Sequence, residues 1–144
     1  MIEYREFGAE ELFRVRALYE DVGWAAYLGD SEKLARAFAV SLYVLGAFRN
    51  DMLIGFIRCV GDGEHIVYVQ DLIVDSAYRR QGIGRALLQK ARDTYRYVRM
   101  FALMTDGSDR NANSFYQAIK MRSYEDAGLI GYLWQDTALE RKQH

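Results

Sequence analysis

Proline is absent from the 144 residues, cysteine occurs once and histidine only twice. A lone Cys59 forms no intramolecular disulfide. Within the apolar alternation of Ile54, Phe56, Ile57 and Val60 it reads as buried strand filler rather than as a nucleophile. His65 and the C-terminal His144 supply neither a zinc ligand set nor a Ser/His or Cys/His pair, so no metal site is expected. A long hydrophobic run is missing too. The most apolar stretch, residues 38–48, contains Ser41 and Gly46 and falls short of the ~20 residues that cross a bilayer. Residues 1–11 carry Glu3, Arg5, Glu6, Glu10 and Glu11 where a secretory signal needs an apolar core, and a cytoplasmic setting is the expectation.

What is present points to one globular domain over residues 1–144. Hydrophobic residues make up 51% and aromatics 14%, enough to build a core and well outside the range of disordered chains. The net charge of −1 conceals an asymmetry. Residues 1–75 carry 7 basic and 13 acidic side chains, whereas residues 76–100 carry 7 basic and 1 acidic. Such a basic run is either a solvated helix face or a local anion site.

Periodicity supplies the elements. Residues 2–7 alternate as a strand, and Leu12, Val15, Leu18 and Tyr19 recur at helical spacing over 9–21. Ser31 stands as the N-cap of a second helix carrying Leu34, Ala35 and Phe38. Residues 42–48, 52–60 and 66–74 then read as an antiparallel meander turned at 49–51 and 61–63. A helix after Gly82 and a strand over 98–104 suggest a parallel crossover. A helix over 109–119 and a closing hairpin, 121–124 with 129–134, complete an α+β mixed sheet with helices on its faces.

The most informative segment is 69–88, in which a strand feeds a basic glycine turn that opens a helix. Gly82 and Gly84 let the main chain approach a ligand closely, and the free N–H groups of the helix start point at the same place. Such a turn holds phosphate. A dinucleotide fingerprint needs a third glycine where Leu87 stands, and a P-loop needs Gly-Lys where Leu87 and Leu88 stand. Both motifs fail, leaving Arg79-x-x-Gly82-x-Gly84 as a pyrophosphate-sized cradle beside the basic run.

This turn, between a strand and a helix, resembles the acetyl-coenzyme A motif Gln/Arg-x-x-Gly-x-Gly/Ala of the Gcn5-related N-acetyltransferases. The resemblance covers about residues 40–135, and within the family residues 45–55, 71–84 and 124–134 are most similar to small bacterial members and to the plant arylalkylamine (serotonin-type) enzymes. It implies a mostly antiparallel sheet of six to seven strands with one splayed parallel pair. It also implies acetyl-coenzyme A as cosubstrate and a homodimer by family habit. Main-chain amides of Gln81, Gly82, Ile83, Gly84 and Arg85, with Arg79 and Arg80 beside them, would bind the pyrophosphate. Leu72, Ile73 and Val74 would pair with the pantetheine arm.

Acetyl transfer from a thioester to an amine needs a place for the amine's proton and a proton for the thiolate. A free amine has a pKa near ~10.4, so a carboxylate or a water chain should accept from it. By the resemblance, Tyr116 protonates the thiolate, and Asp71 aligns with the second residue of a Glu-Asp pair found in polyamine acetyltransferases. Gln70 replaces the Glu and cannot act as a base. Asp71 therefore binds the amine, deprotonates it through water, or accepts hydrogen bonds from turn amides. Asp109 stands where the family commonly has a pantetheine-contacting Asn, with Asn111 and Asn113 nearby; an N-cap is an equal reading of Asp109. Lys120 replaces the glycine that usually ends this helix.

Trp24, Tyr27, Tyr43, Tyr132 and Trp134 are available for the amine pocket, and ring faces beside Asp71 would suit a cationic or aromatic amine. The reading that follows is an acetyl-coenzyme A dependent N-acetyltransferase of a small primary amine. A coenzyme A-binding sensor without turnover is the alternative. Nucleic-acid binding through the arginines lacks interleaved aromatics and an overall basic balance.

Overall fold

The computed structural model describes residues 1–135. The chain opens on strand β1 (Glu3–Glu6), a 3-10 turn (Ala9–Glu11) and helix α1 (Leu12–Val22). The helix thus starts later than its apolar spacing suggests, because Glu10 turns back to accept from the Gly8 amide at 3.0 Å. At its other end Gly23 adopts φ 79°, and the Gly23 and Trp24 amides donate to the carbonyls of Glu20 and Tyr19. This left-handed stop folds Trp24 back over Tyr19. Helix α2 (Ser31–Ala39) is capped by Asp30 rather than Ser31: the Asp30 carboxylate accepts from the Lys33 amide at 3.0 Å.

Strands β2 (Tyr43–Arg49), β3 (Met52–Gly61) and β4 (Ile66–Val74) form the meander. Asn50 and Asp51, with φ 50° and 64°, make its first turn, the twist that tight hairpins favour. In the second, the Asp62 carboxylate accepts from the amides of Glu64, His65 and Ile66, which together pull its pKa down to about 2. Helix α3 (Ile83–Thr94), strand β5 (Met100–Leu103) and helix α4 (Arg110–Ala118) follow. The strands lie in the order β1-β2-β3-β4-β5, antiparallel except for the parallel β4–β5 pair.

Alternation along the strands splits the core. Helices α1 and α2 cover one face, packing Val15, Leu18, Leu34 and Phe38 against Phe56 of β3, and α3 covers the other through Ile83, Leu87, Leu88 and Ala91. Cys59 is wholly buried, and burial pushes its thiol up to about 12, as befits packing rather than reactivity.

Among the described residues the sheet has five strands, not six to seven. Residues 121–124 and 129–134 form no hairpin; the segment between them is wound into consecutive turns instead. Ala127 and Leu129 donate to Tyr124, Gly128 donates to Glu125, and the Asp126 amide donates to Ser123 Oγ. Tyr132 and Trp134 stand in solvent.

The end of α4 keeps the family's geometry without its glycine. Lys120 adopts φ 71°, its amide donates to Gln117, and Met121 donates to Tyr116. A left-handed non-glycine residue costs roughly 1–2 kcal/mol, partly offset in glycine by its greater loss of freedom. Lys120→Gly should accordingly raise unfolding free energy by about 0.5–1 kcal/mol, read from thermal or denaturant melts.

Candidate active site

Strands β4 and β5 pair only over Ile66–Val69 against Met100–Leu103. Beyond Val69, β4 runs on to Val74 beside β3 while β5 stops. A register shift also falls here: Arg58 faces Asp71 but Cys59 faces Val69, so Gln70 is an extra, bulged residue. The result is the expected splay. Leu72, Ile73 and Val74 lie on the stretch of β4 that β5 leaves unpaired.

At the end of that stretch lies the glycine turn. Residues 76–78 make a 3-10 turn, Arg79 is extended, Arg80 takes φ 65° and Gly82 φ 77°, and α3 begins at Ile83. Among the described residues no side chain caps α3, whereas Asp30 and Asp109 cap α2 and α4. The first amides of α3 thus have no partner within the helix or from a cap. The cradle is open: a Cβ on Gly82 would meet nothing within 4 Å, and one on Gly84 would meet only Val74 Cγ2 at 3.7 Å. That short distance sets the turn against the end of β4. The left-handed φ favours glycine at 82, whereas at 84 the protein itself has room for a side chain. Arg79, Arg80, Gln81 and Arg85 are exposed around the turn.

A groove of about 790 Å³ lies between α3, β5 and α4, lined among others by Arg85, Leu88, Leu103, Asn113 and Tyr116. Tyr116 is half-buried with its ring 5.2 Å from that of Phe115. Burial first, and the negative charge of Asp109 second, push its phenol up from the usual value. Asp109 is the N-cap of α4, accepting from the Ala112 amide at 3.0 Å. The Asn113 side chain donates to the carbonyls of Asp106 at 2.9 Å and Asp109 at 2.7 Å. Both residues brace the start of the helix that carries Tyr116.

Asp71 sits on the other face and is sealed, at 1% exposure. Its Oδ2 accepts from the Tyr19 hydroxyl at 2.8 Å and from Arg58 Nε at 2.7 Å, while Oδ1 has no hydrogen-bond partner among the described residues. Its partners are therefore a guanidinium and a phenol, not turn amides. The Arg58 guanidinium also lies 5.1 Å from the Phe38 ring centroid. Above Tyr19 stack Tyr27 at 4.5 Å and Trp24 at 6.2 Å, and the Tyr27 hydroxyl accepts from Gln70 Nε2 at 2.9 Å. Burial and then the Asp71 charge raise the Tyr27 pKa. Of the five aromatics proposed for an amine pocket, these two gather on Tyr19, whose hydroxyl meets Asp71. Tyr43 packs against Tyr95 instead.

Arg58 and Tyr19 carry no functional assignment in the sequence reading. One signal was available: an arginine inside the apolar run of β3 needs a buried counter-charge, and Asp71 is the carboxylate within apolar β4.

The Acetyltransferase (GNAT) family model matches residues 6–120. The chain belongs to this GNAT family. Among solved structures, a GNAT-family acetyltransferase of Streptococcus pneumoniae is 33% identical. It aligns over 94% of this chain and 98% of its own, with a TM-score of 0.81. The PaiA N-acetyltransferase of Thermoplasma acidophilum, solved with coenzyme A, shares the fold at 22% identity. The match covers 85% of this chain and 90% of that one, with a TM-score of 0.71. Arabidopsis thaliana NAA60, solved with a bisubstrate analogue, does so at 21% identity over 85% and 84%, with a TM-score of 0.70. This GNAT chain carries a splayed β4–β5 pair beside an uncapped glycine turn.

Proposed function

We propose that this protein transfers an acetyl group from acetyl-coenzyme A to a primary amine of a small molecule, by direct attack on the thioester. What carries this reading is the uncapped start of α3 opening beside the unpaired end of β4. Main-chain donors of residues 81–85 would hold the pyrophosphate, with Arg79 and Arg80 adding positive charge. The unpaired edge at Leu72, Ile73 and Val74 would take the pantetheine arm as a peptide-like strand, and Asn113 and Asp109 would bound the far side. Acetyl-coenzyme A supplies the activated acyl group.

Tyr116, on the α3/α4 side of the gap, is the residue that gives a proton to the departing thiolate. Asp71 lies on the α1/α2 side. Its Oδ1, which has no hydrogen-bond partner among the described residues, is the acceptor for an amine's proton, relayed through water once the Tyr27–Gln70 bond opens. The ring faces of Trp24 and Tyr27 next to a carboxylate suit an aromatic or cationic amine, in line with the arylalkylamine resemblance.

Acetyl-coenzyme A at ~100 times its dissociation constant should stabilise the wild-type fold by ~2.7 kcal/mol. Gly84→Glu has room to fold but puts bulk and a negative charge into the cradle; its Kd should rise about tenfold or more, or ~1.4 kcal/mol. No thermal shift with the wild type would end this reading.

A sensor that binds coenzyme A without turnover has one observation in its favour: Asp71, the carboxylate assigned to the amine, is already paired with Arg58. Thiol release across a panel of primary amines separates the two, since a sensor would release none.

A further inference from the structure

We infer that Arg14 and Asp21 of α1 are positioning residues for coenzyme A, setting the glycine turn through Asp75 and Ser76 without touching the ligand. This rests on the cofactor reading above. Residues 14 and 21 are seven apart, two helical turns, and so share one side of α1. Both reach the short segment that joins β4 to the turn. Arg14 donates through Nε to the Leu53 carbonyl and through a terminal nitrogen to Asp75 Oδ2, each at 2.8 Å. Asp21 accepts from the Ser76 amide and from the Ser76 hydroxyl, one on each carboxylate oxygen, both at 2.9 Å.

The consequence is that four successive amides are fixed. Asp75 donates to the Ile54 carbonyl, Ser76 to Asp21, Ala77 to Asp75 Oδ1 and Tyr78 to the Asp75 carbonyl. Immediately beyond, Arg79, Arg80, Gln81 and Gly82 are exposed, and the chain passes through left-handed conformations at Arg80 and Gly82. The cradle is therefore an arch with two feet, α3 and the segment clamped by α1. Donors fixed in advance bind more tightly than donors that must be ordered on binding, because the ordering cost is already met. The low pKa of Asp21, set first by the Ser76 amide and then by its hydroxyl, agrees with a carboxylate held for this purpose.

Charge alone predicts the opposite sign, which makes the idea testable. Asp21 is an anion near a site for anions, so deleting it should tighten coenzyme A binding if only long-range electrostatics mattered. The clamp predicts that Asp21→Ala raises the Kd for coenzyme A, measured by calorimetry, about fivefold. The KM for acetyl-coenzyme A should rise in step, with the amine KM and kcat at saturating acetyl-coenzyme A little changed. Asp21→Asn can accept from the Ser76 amide and donate to its hydroxyl without the charge, and should bring Kd back to the wild-type value or below it. Ser76→Ala, which keeps the amide bond, should raise Kd about twofold. It decides the matter if Asp21→Ala fails to fold.

A fall in melting temperature with unchanged Kd, or a parallel rise in both KM values, overturns the clamp. So does an Asn variant as weak as Ala. Wild-type protein that binds no coenzyme A overturns the cofactor reading, and the clamp with it, and is distinguishable from each of those results.

Discussion

Tyr116→Phe is expected to lower kcat by about 10²-fold or more, with the Kd for coenzyme A within twofold of wild type. The hydroxyl is one atom on a ring that otherwise packs against Phe115 and the α3 side of the core, so its removal leaves the groove wall in place. A free thiol has a pKa near ~8.5 and a phenol near ~10. In bulk water the phenol would therefore be a poor donor to a thiolate. Holding the two groups within hydrogen-bond reach changes this, because the proton moves as the C–S bond breaks, before a free thiolate is solvated. Burial, then the Asp109 charge, raise the Tyr116 pKa further. The sign follows: the phenol stays protonated to higher pH than a free tyrosine, so wild-type kcat should show no loss from Tyr116 ionisation below about pH 10. Rates measured for wild type and variant from neutral pH upward test both statements. Equal turnover in the Phe variant removes Tyr116 from the chemistry.

Much of this site is legible in the sequence because its signals are local. The glycine turn announces itself through two glycines, flanking arginines and a change of period from strand to helix, all within twenty residues, and Gly82 does adopt the left-handed φ that favours glycine. The meander is legible for the same reason, since Asn50-Asp51 is turn chemistry between alternating strands. What the sequence hides is decided by competition between near-equal local options or by partners far along the chain. Asp30 and Ser31 are both good caps, and the carboxylate won. Residues 121–134 carry strand-like composition, yet Ser123, Asp126 and Gly128 also form turns, and the four-residue edge of β5 offers little ladder to compete with them. Asp71 could be placed on its strand but not described, since Tyr19 lies 52 residues away and enters only as one apolar position of a helix.

The Asp71–Arg58 pair carries the largest expected effect on stability. Both side chains are almost without solvent contact, at 0% and 6% exposure. Asp71→Ala would strand a guanidinium and a phenol in the core, a loss of roughly 3–5 kcal/mol. In a chain of this size that should lower the melting temperature by about 10–20 °C. Arg58→Met should cost a similar amount, because it strands a carboxylate that already has one unpaired oxygen. The two together should not add. Arg58→Met with Asp71→Leu replaces two desolvated charges by apolar groups and should recover the part of the loss that comes from an unpaired charge, leaving the smaller cost of the unpartnered Tyr19 hydroxyl. Thermal melts of the two single variants and the double variant, without ligand, measure this coupling; a double variant as unstable as the sum would show that the network does not act as a pair. The same proteins then separate structure from chemistry. If the double variant melts near wild type yet no longer transfers acetyl groups, the carboxylate serves the amine as well as the fold.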